Sequence, residues 1–235
     1  APQAEGWRWK LAFNLARLGD PAAGEQYAGL IAAALNRGET DPGDLYRWFS
    51  QHEPQLALYM VALEPQPFTI GSYLIELRHA AAGSAFLWLR QTPGGFQVET
   101  LLSHFDFLQP TQASWILAEL DGVSENGQEI AVYFSTAEDQ FALPAPAVFS
   151  LDRVPARRLP FLPQPVLFDL GMTFTNYWAA RSAQPGEALP AARSLVFRSR
   201  LYPACPVLFA RTYRWNGNYF AFQSQEVTLE PSQIS

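Results

Sequence analysis

The apolar positions of this chain change period near residue 54. Before it they recur at helical spacing: Trp7, Leu11, Leu15 and Leu18 form one stripe, widened by Trp9, Phe13 and Ala16. Gly19 stops that helix. Asp20-Pro21 supplies a cap and a first-turn proline for a second helix, whose apolar face is Tyr27, Leu30, Ile31, Ala34 and Leu35 and which ends at Gly38. Asp41-Pro42 repeats the start signal, and Leu45, Trp48 and Phe49 mark a third, shorter helix before Pro54.

From Gln55 onward the pattern is that of strands, with candidates at 55–63, 72–78, 85–91 and 96–102, the last two joined by the turn Thr92-Pro93-Gly94-Gly95. Residues 114–136 set two apolar runs on either side of a polar loop that holds Asp121-Gly122 and Asn126-Gly127, residues that tolerate positive φ and let the chain reverse. A passage punctuated by prolines, 144–165, should run as surface chain or edge strand, because proline donates no ladder hydrogen bond. Residues 172–179 form a further candidate strand. Near the C-terminus, 208–215 and 218–225 flank Asn216-Gly217, a dipeptide suited to a two-residue hairpin that would set Trp215 opposite Asn218 and Tyr213 opposite Phe220.

The expected fold class is therefore α+β. A helical cap, 1–53, packs on a mainly antiparallel β domain, 54–235, arranged as a partial or small propeller-like meander or alternatively as a β-sandwich. The helical hairpin, with Trp7, Leu11, the Gly-Asp-Pro turn and Tyr27, resembles a single tetratricopeptide-type repeat. A repeat of strand pairs also shows: 73–78 with 86–89, then 115–121 with 130–134, then 195–201 with 207–211. The segments 119–133 and 213–220 resemble degenerate FG-GAP, integrin-type β-propeller repeats of secreted bacterial proteins. That resemblance implies a non-enzymatic binding or adhesive module outside the cytoplasm. It also implies a calcium loop, for which Asp121, Glu125 and Glu129 are the candidate ligands, although Val123 occupies a ligand position and Gly127 sits one place late.

Composition narrows the function classes. Hydrophobic residues make up 49% and charged residues 16% of the chain, a balance that buries a core and does not leave the chain disordered. The net charge of -6 gives no general attraction to nucleic acid. Cys205 is the sole cysteine, which excludes an intramolecular disulfide, and no apolar run reaches the ~20 residues of a membrane-spanning helix. A start at Ala-Pro-Gln fits a processed, exported N-terminus and equally a cut made elsewhere.

Chemistry-bearing motifs are sparse. His52, His79 and His104 lie in unrelated segments, and Gly71-Ser72 and Gly83-Ser84 lack the second glycine of a nucleophile elbow. Carboxylates such as Asp106, Glu119 and Asp121 would serve a glycosidase only if the fold converged them, so no catalytic residue is assigned. The expectation is a secreted or cell-surface binding module that contacts a protein or carbohydrate partner through Trp88, Trp115, Trp178 and Trp215. The alternative is a structural subunit that assembles with copies of itself. No cofactor is expected, calcium at the 121–129 loop being the one candidate.

Overall fold

In the computed structural model, residues 2–80, 83–105, 111–118, 129–136, 147–162, 174–178, 194–200 and 207–229 are described. The chain divides into two compact units, Ala1–Gln112 and Ala113–Ser235. The fold is α+β, with three helices at the N-terminus followed by mainly antiparallel sheets. The division falls well beyond residue 53, because the helices share one core with the first sheet.

In the first unit, α1 (Pro2–Arg17), α2 (Ala22–Asn36) and α3 (Leu45–His52) precede an antiparallel meander of β1 (Ala57–Leu63), β2 (Gly71–His79), β3 (Gly83–Thr92) and β4 (Gly95–Phe105), in the order β1-β2-β3-β4. Gly19 and Gly38, both at φ 70°, end α1 and α2 in a conformation that costs a residue with a Cβ. Asp20 Oδ1 accepts the Ala22 N–H at 2.9 Å and caps the start of α2. The expected α2 stripe is buried throughout. In α1 the expected Trp9 and Ala16 are buried together with Ala12, while Trp7 and the following Leu18 stay exposed. The small residues Ala12 and Ala16, one turn apart, join Trp9 in the core, with Leu15 packed against it.

The face of the sheet that packs on the helices is Leu58, Ile75, Leu77, Ala85, Leu87, Leu89 and Phe105, joined by Met60, Tyr73, Phe96 and Val98 at its margins. Leu87 pairs with Thr100 and Phe86 with Leu102, so Leu101 is the extra residue of a β-bulge. The bulge shifts the alternation by one and brings Phe105 onto the helical side, 6.5 Å from Tyr27 between ring centres. The opposite face of β2 and β3 is buried as well: Ser72, Leu74, Glu76, Ser84, Phe86, Trp88 and Arg90 are all shielded from solvent.

The second unit holds two sheets. One has the order β5-β6-β7-β8, with β5 (Thr111–Ala118), β6 (Glu129–Thr136), β7 (Ala147–Ser150) and β8 (Arg157–Leu159). The other has the order β10-β11-β12-β13-β9, with β9 (Phe161–Leu162), β10 (Phe174–Trp178), β11 (Ser194–Arg200), β12 (Val207–Trp215) and β13 (Phe220–Leu229). Among the strand pairs described, β9 with β13 is parallel and the others are antiparallel. The proline-rich passage is more than surface chain or edge: β7 is wholly buried and pairs with both β6 and β8. This is possible because the described prolines, Pro155 and Pro160, fall between its short strands and leave every N–H of β7 free to pair.

The last hairpin also departs from expectation. Trp215 pairs with Phe220 and Tyr213 with Phe222, and the loop is four residues long. Asn216 is the reason: its Oδ1 accepts the N–H of Asn218 and of Tyr219, each at 3.0 Å, and its own N–H reaches the Tyr219 carbonyl at 3.1 Å. This side-chain-stabilised turn replaces the two-residue one. Phe161 stacks on Phe220 at 4.9 Å, Trp215 lies 5.1 Å from Phe220, and the Arg157 guanidinium sits over Trp215 at 5.8 Å, which links the two sheets of this unit.

The contact of α2 with β4 allows no side chain at Gly24, where a Cβ would lie 2.8 Å from both Ser103 Cβ and Thr100 Cγ2. Gly29, on the same helix, has open space around it. Gly24→Ala should lower the unfolding free energy by about 1–3 kcal/mol through overpacking, whereas Gly29→Ala should raise it by up to about 1 kcal/mol through helix propensity. Chemical denaturation of the two variants measures both signs, and equal effects would contradict the close approach.

Candidate functional site

Two groups of polar residues stand out in the first unit: one inside the sheet, the other open to solvent beside α3. In the sheet, Glu76 is 2% exposed and receives a bidentate contact from Arg78, with Nε to Oε1 at 2.8 Å and Nη2 to Oε2 at 2.9 Å. Ser84 Oγ donates to the same Oε1 at 2.7 Å. The Arg78 guanidinium lies 5.1 Å from the Tyr59 ring centre. One strand pair further along, Trp88 Nε1 donates to Ser72 Oγ at 2.9 Å, and the Arg90 guanidinium covers the Trp88 ring at 4.4 Å while facing Glu99 at 3.2 Å. Burial pushes the Arg90 guanidinium down from its ordinary pKa, and the Glu99 charge opposes that shift.

Both serines flagged in Gly-Ser pairs are therefore committed inside the fold. His104 is the cross-strand partner of Ser84 on β4, yet the serine hydroxyl proton goes to Glu76. This arrangement balances a buried carboxylate with a cation and a hydroxyl, as a charge withdrawn from water requires.

The solvent-open group is built by the turn between α2 and α3. Asp41 Oδ1 accepts the N–H of Gly43 at 2.7 Å and of Asp44 at 3.0 Å, fixing the approach to α3. Within α3, Leu45 and Phe49 are four apart and enter the core. Asp44, Arg47, Trp48 and Gln51 follow the spacing i, i+3, i+4 and i+7 and so share the other face. Together with Gly38, Glu39, Thr40 and Asp41 they line an open groove. Half-buried Trp48 is held by Trp9, 5.5 Å between ring centres, and by His52 at 4.5 Å, whose Nδ1 hydrogen-bonds the Trp48 carbonyl oxygen at 2.8 Å.

Two of the three carboxylates lining the groove, Glu39 and Asp44, face a guanidinium, and the third, Asp41, is held by backbone N–H groups. Glu39 accepts from Arg37 at 2.6 and 3.2 Å, and this hydrogen bonding holds its carboxyl below the usual range. Arg37 also reaches Glu5 at 2.6 Å, and Arg47 faces Asp44 at 3.3 Å. Among the described residues no group of three His, Cys, Asp or Glu side chains converges as a metal site.

The residues singled out in the sequence are not brought together among those described. Trp88 is fully buried in β3, and Trp215 lies in the core of the second unit. Neither turns a free ring face to solvent. Trp115 and Trp178 fall in β5 and β10, with side chains outside the described set. Asp121 and Glu125 lie outside the described residues, and Glu129 opens β6 opposite Ser150. The groove residues were missed as a set, although the spacing 44, 47, 48 and 51 on an already expected helix was the available signal. Comparison with family models, curated proteins and solved structures finds no match to the chain.

Behind the groove, the Tyr27 hydroxyl donates to Glu53 Oε2 at 3.2 Å within the core. Burial raises the Glu53 carboxyl above its ordinary value, against the lowering effect of the Tyr27 bond. Burial and the neighbouring carboxylate both push the Tyr27 phenol up. Because the folded carboxyl holds its proton more tightly than the unfolded one, its ionisation costs folding free energy as pH rises. Stability should therefore fall as pH climbs from the unfolded value near 4.5 through the higher folded one. Glu53→Gln, which still offers Tyr27 an acceptor, should remove that part of the pH dependence and be the more stable form at neutral pH. Denaturant unfolding of both proteins across this range measures it, and parallel pH profiles would refute it.

Proposed function

We propose that the chain is a binding module that acts by contact, and that the groove beside α3 takes a neutral, polyhydroxylated ligand such as a glycan. The observation that carries this reading is the face of α3 on which half-buried Trp48 stands among Asp44, Arg47 and Gln51 in an open groove. An aromatic surface beside a few directed polar groups suits a ligand with one apolar and one hydroxylated side. The carboxylates at Glu39 and Asp44 are offset by Arg37 and Arg47, and Asp41 is engaged by backbone N–H groups, so the groove is not a trap for a bare cation. Free lone pairs on these carboxylates accept hydroxyl protons, while Arg47 and the exposed Gln51 amide donate to hydroxyl oxygens.

The reading has a direct test. A panel of immobilised glycans should include ligands of the full chain, and replacing the exposed pair by Arg47→Ala with Gln51→Ala should weaken binding about tenfold or more, a loss of about 1.4 kcal/mol, while the thermal unfolding midpoint holds. No binding across the panel, or binding indifferent to the double replacement, would count against it. Capture of peptides in place of glycans would move the function to protein recognition at the same groove.

A further inference from the structure

The outer edge of β13 carries a second surface, independent of the groove. β9 covers that edge only at Phe220 and Ala221, and among the described residues no strand pairs with its outer side beyond them. Thr212 pairs with Ser224 and Tyr213 with Phe222, so Gln223 is the extra residue of a β-bulge. Past the bulge the alternation is reversed, and Phe222, Gln225, Val227 and Leu229 all project on the face that carries Tyr213. Phe222 is 41%, Val227 56% and Leu229 76% exposed. The edge from Gln225 to Leu229 contains no proline, no lysine and no arginine, the residues that ordinarily block edge pairing, and its one charge is Glu226.

We propose that this edge pairs antiparallel with the same edge of a second copy of the chain, about a two-fold axis through Val227. An isologous contact must be self-complementary, and the sequence selects the register. Centred on Glu226, the pairing would set two carboxylates directly opposite each other, which is destabilising. Centred on Val227, it sets Val227 against Val227, Glu226 against Thr228 and Gln225 against Leu229. That ladder avoids like charges, stays clear of the bulge and merges the exposed Val227 and Leu229 of both copies into one apolar strip. A foreign strand has no such requirement that the edge suit itself.

Sedimentation velocity of the full chain over a wide concentration range should show a monomer–dimer equilibrium. Val227→Lys, which opposes two ammonium groups at the self-pair, should weaken it at least tenfold; a native chain that is monomeric at every concentration overturns the proposal. Cysteine pairing tests the register independently of folding changes in that variant. In a Cys205→Ser background, Val227→Cys should yield a disulfide-linked dimer under mild oxidation, since directly opposed residues of an antiparallel pair, about 5.5 Å apart at Cα when hydrogen-bonded, fall within the Cα range of a disulfide. Glu226→Cys should not, and equal cross-linking at both positions, or none at either, overturns the assigned register.

Discussion

The first unit depends on the burial of β2 and β3 on both faces. Their helical side is uniformly apolar and needs only to be packed. Their other side combines Leu74, Phe86 and Trp88 with Ser72, Glu76, Ser84 and Arg90, all removed from water. A carboxylate in that position is tolerable only if its oxygens are occupied, and Glu76 meets the condition with a bidentate guanidinium and a hydroxyl. Arg90 is stabilised differently, by the face of Trp88 and the nearby Glu99. Losing one member of such a group costs more than the group contributes as a whole, because the remaining charge stays buried. Ser72, Ser84, Glu76 and Arg90 are thus spent on holding the sheet, while the open groove lies on the helical side.

There, α3 divides its residues between two tasks. Leu45 and Phe49 anchor it to the core, while the face bearing Asp44, Arg47, Trp48 and Gln51 borders the groove. The anchoring continues through rings: Trp9 lies 5.8 Å from Phe49 and stacks on His52 at 5.2 Å, so the base of the groove is tied to the same aromatic group that surrounds Tyr27 and Glu53. A recognition surface set on packed aromatics loses little side-chain freedom on binding, which favours affinity.

Much of this was legible in the sequence where the signal is local. The α2 stripe, the stops at Gly19 and Gly38 and the Asp20 cap follow from periodicity and backbone preference alone. The run from Ala85 to Leu89 is apolar at every position, the mark of a strand covered on both sides, but nothing in it says what pairs with Glu76. Trp88 and Trp215 misled for a related reason: the residue type suits a core and a ligand platform equally, and only the register of β3 and β12 places these two inside. The division into units was hidden because it depends on α2 packing against β4, a contact between residues more than seventy positions apart, such as Gly24 and Ser103.

Neither of the two bulges was legible, and each reverses the fate of everything beyond it. A strand alternates with period two, so one inserted residue exchanges its faces. In β4, the extra Leu101 turns Ser103 and Phe105 towards the helices where Leu102 and His104 would otherwise point; the small serine admits Gly24, and the phenylalanine completes the core. In β13, the extra Gln223 turns Val227 and Leu229 to the face of Phe222 where Ser224, Glu226 and Thr228 would otherwise stand. The first exchange gains burial at once. The second leaves Val227 and Leu229 exposed along an edge that, among the described residues, is covered only at Phe220 and Ala221, and a second copy paired there would bury them.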